Sequence, residues 1–195
     1  MLDIYVNPHR MGDFLMNTPL MNATGTRFIL KDTEENRRVS VLGVGLADID
    51  FLPQLPHETE WKIPERGKFW PRRLLDAHGF QHCSCLPKIK LTDEEWFAGR
   101  SMMGGLRNPI VIRDIQGYGE ERNVPPGLMQ KIVDNNPEYT FVSFGLTMGH
   151  SSRPHKASSL RNAVALDDLP LRILAACYAA IGLYVGVDTG SYHLM

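Results

Sequence analysis

The residues best suited to chemistry stand near the two ends of the chain. Towards the C-terminus an apolar run, Leu183-Tyr184-Val185-Gly186-Val187, leads into Asp188-Thr189-Gly190-Ser191-Tyr192-His193. An apolar strand followed by Asp-Thr-Gly and a helix-compatible segment presents an anionic ligand with free backbone N–H groups and a hydroxyl. The glycine lets that ligand approach the main chain closely. Thr189, Gly190 and Ser191 are the candidates for that contact, whereas the carboxylate of Asp188 repels an anion and must serve another group or cap the turn. Towards the N-terminus, His9-Arg10-Met11-Gly12-Asp13 joins an apolar strand to a helix. A helix start holds a carboxylate ionised, as a proton acceptor requires, and the same position suits a plain helix cap.

The elements that must position these groups alternate between the two regular types. Residues 2–6 read as a buried strand, 7–12 as a loop and 13–22 as a helix with Phe14, Leu15, Leu20 and Met21 on its apolar side. Residues 39–44 are a second strand candidate. The stretch 51–71, broken by four prolines, reads as irregular, and 72–78 as a helix ended by Gly79. Thr92-Asp93-Glu94-Glu95 has capping-box spacing and predicts a helix over 93–103, closed by Gly104-Gly105. Further strands are expected at 109–112 and 140–144, a helix after Pro125-Pro126, and an apolar helix over 168–181 ended by Gly182. This alternation predicts an α/β protein with parallel sheets covered by helices, divided into residues 1–105 and 106–195.

The 195 residues carry 43% apolar and 22% charged side chains, the balance of a soluble globular protein, and a formal net charge of −1. Lys and Arg are scattered, so nucleic acid is not the expected partner. The N-terminus lacks the basic start and long apolar core of a signal peptide, and no run approaches a membrane span. A cytoplasmic protein is the reading, with peripheral contact at the inner face of a membrane open to it. Three cysteines do not form a disulfide framework. His78, His82, Cys83 and Cys85 are residue types that bind zinc, but Gly79 and Pro87 favour a helix end and loop over a ligand cage.

His9-Arg10-Met11-Gly12-Asp13-Phe14-Leu15-Met16-Asn17-Thr18-Pro19-Leu20 resembles the first loop and helix of the heptosyltransferase-like glycosyltransferases of family 9, in which Gly-Asp opens a helix and Thr-Pro follows. Gly186-Val187-Asp188-Thr189-Gly190-Ser191-Tyr192-His193-Leu194 is similar to that family's donor-site signature. Arg72-Arg73-Leu74-Leu75-Asp76-Ala77-His78-Gly79, Leu86-Pro87 and Leu91-Thr92 resemble the segment closing its first domain. The likeness is specific at the two ends and diffuse between them.

The resemblance implies a GT-B architecture, two Rossmann-like halves with the second incomplete where the chain ends at Met195. It implies metal-independent transfer of a heptose-like sugar, with inversion, from a nucleoside diphosphate to a hydroxyl of lipopolysaccharide or another glycan. An ADP-linked donor comes first, and no cofactor is needed. By the same resemblance Asp13 is the catalytic base. His9, Arg10 and Gly12 form the acceptor-side loop, Thr189, Gly190 and Ser191 hold the diphosphate, Asp188 the sugar hydroxyls, and His193 orients a neighbour. Where the family places a Lys before an aromatic-Pro pair, this chain has Glu121-Arg122-Asn123-Val124-Pro125. Arg122 is then the phosphate cation and Arg113 the second candidate, although a fork-shaped guanidinium is not equivalent to an ammonium. Residues 143–153 follow a strand end, where base and ribose contacts are expected. An open sheet edge after residue 195 implies a fragment, a reduced protein completed by a second copy or a partner chain, or an inactive descendant.

Other readings rest on fewer residues. Asp-Thr-Gly occurs in aspartic proteases, but there it lies in an all-β fold. Asp48-Ile49-Asp50 resembles the metal-binding pair of metal-dependent glycosyltransferases. Gly43-Val44-Gly45 has Asp48 where the third glycine of a dinucleotide site belongs. The alternative outside enzymology is a nucleotide- or sugar-phosphate-binding module, or an interaction protein, on the same fold.

Overall fold

The computed structural model describes residues 4–6, 11–25, 27–55, 70–77, 79–114, 123–125, 127–145, 156–187 and 194. They form two compact units, Met1–Lys90 and Leu91–Met195. The division falls before the capped helix at 93–103, and not after it at residue 105 where the alternation of elements places it. Both units are α/β with parallel sheets, as expected.

In the first unit, β1 (Ile4–Val6), β2 (Phe28–Lys31) and β3 (Ile49–Leu52) form a parallel sheet in the order β1-β2-β3. The helix expected over 13–22 is two helices, α1 (Met11–Leu15) and α2 (Thr18–Thr24). Pro19 sits in the first turn of α2, where its missing N–H costs nothing. Thr18 explains the break: its hydroxyl donates to the Leu15 carbonyl at 2.7 Å and accepts the Lys88 N–H at 2.8 Å, both inside the unit. The Thr-Pro pair of the first motif and the Leu86-Pro87 segment are thereby tied together.

The strand expected at 39–44 is absent. α3 (Glu34–Ser40) occupies its first part, capped by the Thr33 side chain, and a 3-10 turn (Val41–Gly43) the rest. Val39, Leu42 and Leu46 are buried while Val41 and Val44 are exposed, the spacing of a helical face and not of strand alternation. The strand signal came from the β-branched content alone. β2, which carries Phe28, Ile29 and Leu30 into the core, is not among the strands expected from the sequence. α4 (Trp70–Ala77), with Leu75 buried, is the last helix of the unit among the described residues and is followed by coil over 79–90.

The second unit contains α5 (Asp93–Met103), β4 (Pro109–Arg113), α6 (Leu128–Asn135), β5 (Thr140–Gly145), β6 (Ala163–Asp167), α7 (Leu171–Ile181) and β7 (Tyr184–Gly186). Its four strands are parallel in the order β6-β5-β4-β7. α6 begins at Leu128 after Gly127, later than Pro125-Pro126 suggested, and α7 begins at Leu171 rather than at 168, because Asp168 is left-handed and the extended Pro170 is the N-cap. Ile110, Ile112, Met129, Val133 and Phe141 form a core between the sheet and α6. Phe144, three residues beyond Phe141 and so on the opposite face, meets the Tyr178 ring of α7 at 5.1 Å between centroids. The sheet is therefore covered on both sides. α5 packs on α7 at Gly99, where a Cβ would stand 2.6 Å from the Ala176 main chain. Glu95 and Arg172 join the same two helices, with Arg172 Nε 2.5 Å from Glu95 Oε1.

Candidate functional site

The strand order of the second unit creates a natural ligand edge. The chain runs from β4 outward through β5 to β6, then crosses through α7 to β7 on the other side of β4. In open parallel sheets ligands bind outside the carboxyl ends of the strands where the direction of winding reverses, here between β4 and β7. Arg113 at the end of β4 is in register with Gly186 at the end of β7, and the Val187 N–H donates to the Arg113 carbonyl at 3.1 Å. A Cβ at Gly186 would collide with that carbonyl, so glycine is what lets the two strand ends meet. Asp188, Thr189, Gly190 and Ser191 follow Val187 directly in the chain. They lie outside the described residues, as do His193, Arg122, His9 and Arg10.

The ends of β4, β5 and β6 hold a short coil segment, Lys156-Ala157-Ser158. Arg113, only 7% exposed, donates from Nη1 to the Phe144 carbonyl at 2.8 Å and to the Lys156 carbonyl at 3.3 Å. The Ala157 N–H donates to Asp167 Oδ1 at 2.7 Å, and the Ser158 N–H to Ser143 Oγ at 2.7 Å. The Ser158 hydroxyl donates to the Asp114 carboxylate. Beside them, the Val124 N–H donates to the Asp114 carbonyl at 3.0 Å. In the sequence Arg122 lies between these two residues, outside the described ones.

Arg113 was expected as the second phosphate cation. The buried Nη1 instead serves backbone carbonyls, which makes Arg113 a fastener of the sheet edge. Asp114, Asp167 and Ser158 are outside the residues expected from the sequence, and residues 143–145, expected to follow a strand end, lie inside β5, with the rest of 146–153 outside the described residues. The available signal was an acid or serine at or near the carboxyl ends of successive strands, Asp114 just past β4, Ser143 near the end of β5 and Asp167 at the end of β6.

In the first unit the backbone of Gly12 and Asp13 lies inside α1. Asp13 is the third residue of that helix, two residues further in than the sequence suggested, so it is not the N-cap. Of the alternative carboxylates, Asp50 pairs with Arg27 at 3.2 Å on β3. Among the described residues no three His, Cys, Asp or Glu side chains gather as a metal site, and His78 of the drawn zinc set lies outside them. Nor is any helix among them long and apolar enough to cross a membrane.

No protein-family model and no curated protein matches the sequence. Two solved structures match the fold. One is a family 9 glycosyl transferase from Veillonella parvula DSM 2008, with TM-score 0.68 and 13% identity over 98% of this chain and 76% of that one. Its fold is that of the family 9 glycosyltransferases. The second, the E. coli ADP-heptose lipopolysaccharide heptosyltransferase II, gives a TM-score of 0.66 at 12% identity, over all of this chain and 81% of that one. The family 9 fold thus spans both α/β units; among the described residues β1 and α1 flank the first motif's start in the chain and β7 precedes the second motif.

Proposed function

We propose that this chain is an inverting, metal-independent glycosyltransferase that moves a heptose-like sugar from a nucleoside diphosphate to a hydroxyl of lipopolysaccharide or another glycan. What carries the reading is the family 9 glycosyltransferase fold over the whole chain, at 98% and 100% coverage. The E. coli neighbour is an ADP-heptose enzyme acting on lipopolysaccharide, which makes an ADP-linked donor the first to try.

In this reading Asp13 accepts the proton of the acceptor hydroxyl as the acceptor oxygen bonds to the anomeric carbon. The bond from that carbon to the diphosphate oxygen breaks on the opposite side, and the nucleoside diphosphate leaves with the bonding pair. Arg122 and the backbone N–H groups of Thr189, Gly190 and Ser191 stabilise the charge that develops on it. Asp188 holds sugar hydroxyls, His193 orients a neighbouring group, and His9, Arg10 and Gly12 line the acceptor. Support for the donor half comes from the switch in strand order beside β4 and β7 and from Gly186, which lets those strand ends close up.

Thermal unfolding with ADP, UDP and GDP tests the donor half. A ligand at 100 times its dissociation constant adds roughly 2.7 kcal/mol, which in a chain of this size raises the midpoint by roughly 5–10 °C. The expected result is such a shift with one nucleoside diphosphate, lost in Arg122→Ala. No shift with any of the three at millimolar concentration overturns the donor reading.

A further inference from the structure

The fastened segment Lys156-Ala157-Ser158 has a use that the fold alone does not require. Five positions at the ends of β4, β5 and β6 serve three residues of coil: Arg113, Asp114, Ser143 and Asp167 bond it, and Gly145 makes room for it. At Gly145 any Cβ would collide with the Asp167 carboxylate and with the Ala157 main chain. Arg113, Ser143 and Ser158 are buried in the process, and a buried polar group is tolerated only with its partners in place. The outcome is a main chain fixed at the carboxyl edge of a parallel sheet, where ligands of such sheets bind. Lys156, the first described residue of this segment, is exposed.

We propose that Lys156 binds the diphosphate of the donor, and that Arg113, Asp114, Ser143 and Asp167 are positioning residues which hold its main chain there. The proposal rests on the donor reading above and adds to it a second cation in addition to Arg122. A lysine on a mobile loop loses backbone and side-chain freedom when it meets a ligand. Here the backbone share is already fixed by the strand ends, so only the side chain is left to order, and preorganisation of this kind raises affinity without new contacts. The ammonium, a compact charge with three donors, suits oxygens on two successive phosphoryl groups.

The test is calorimetric titration of the intact protein with ADP, UDP and GDP and with the matching nucleosides, which lack the phosphates. In Lys156→Ala the nucleoside diphosphate that wild type binds should weaken about tenfold or more. The nucleoside should bind within about twofold of wild type, and Lys156→Arg should recover most of the loss, as a charge-assisted contact predicts. The salt dependence of the diphosphate affinity should flatten in Lys156→Ala. Because Lys156 is exposed, the ligand-free melting midpoint serves as the folding control. Diphosphate affinity unchanged in Lys156→Ala, or nucleoside and diphosphate weakened in equal proportion, overturns the proposal and leaves the segment a scaffold. Wild type that binds none of the three nucleoside diphosphates overturns the donor reading and this proposal with it.

Discussion

The Asp167 carboxylate at the end of β6 occupies the space that any side chain on Gly145, at the end of β5, would need. Gly145 and Asp167 are register partners, and Oδ1 of the acid reaches past the glycine to accept the Ala157 N–H. Gly145→Ala should therefore destabilise the protein by about 1–3 kcal/mol, the usual cost of overpacking. Gly105→Ala, which would meet nothing within 4 Å, should stay within about 0.5 kcal/mol of wild type. Urea unfolding of the two variants checks the pair. Equal stability of the two would show that the sheet edge yields without cost.

The ion pair between α5 and α7 gives a signature in acid. The Arg172 guanidinium, hydrogen-bonded to Glu95, holds that carboxyl below its ordinary value of 4.5, and the Thr92 backbone N–H adds to the effect while burial opposes it. A folded-state value below the unfolded one contributes stability in full above the ordinary value and loses it as pH falls through the depressed one. Glu95→Gln should cost roughly 1–3 kcal/mol at pH 7, the range of a helix cap plus a charge-assisted bond. That deficit should narrow below about pH 4.5, where the unfolded wild-type carboxyl takes up its proton. Denaturant unfolding of both proteins from pH 7 to pH 3 reads it directly, and a deficit independent of pH would contradict the electrostatic account.

Three free cysteines divide by environment. Burial pushes the Cys177 thiol up to about 11, while Cys83 and Cys85 are half-buried in the loop after α4. Since the thiolate is the reactive form, a chromogenic disulfide reagent at pH 8 should titrate Cys83 and Cys85 in the folded protein, and Cys177 only after unfolding. Rapid reaction of all three would mean that α7 opens far more readily than its packing implies.

Much of this was written in the local sequence. The capping box was legible because both of its bonds are made within four residues: the Glu95 N–H reaches Thr92 Oγ1 at 3.2 Å, and the Thr92 N–H reaches Glu95 Oε2 at 2.8 Å. That Glu95 also holds Arg172, 77 residues away, was not legible, because no local rule pairs residues across two helices. Residues 39–44 misled because β-branched side chains favour strands on average, while burial of Val39, Leu42 and Leu46 on one face decided for helix. β6 was missed because its alternation is shallow. Left-handed Asn162 and Asp168 bracket it, at φ of 60° and 58°, and those turn residues were the available clue. Arg113 was read as a ligand cation because an arginine at a strand end has that chemistry, whereas its burial and carbonyl partners are set by chain folded back from residue 156.

The most direct test of the central claim is acceptor-dependent release of nucleoside diphosphate from ADP-, UDP- and GDP-linked sugars, measured for wild type and Asp13→Ala with a lipopolysaccharide core acceptor. Loss of a general base costs about 10²–10⁴-fold in rate while leaving donor binding nearly intact. The account predicts turnover of one donor class by wild type, reduced by that factor in Asp13→Ala with nucleotide affinity unchanged. Binding of the nucleotide with no transfer from any donor, or equal rates in the two proteins, would contradict it and favour a binding module on a glycosyltransferase fold.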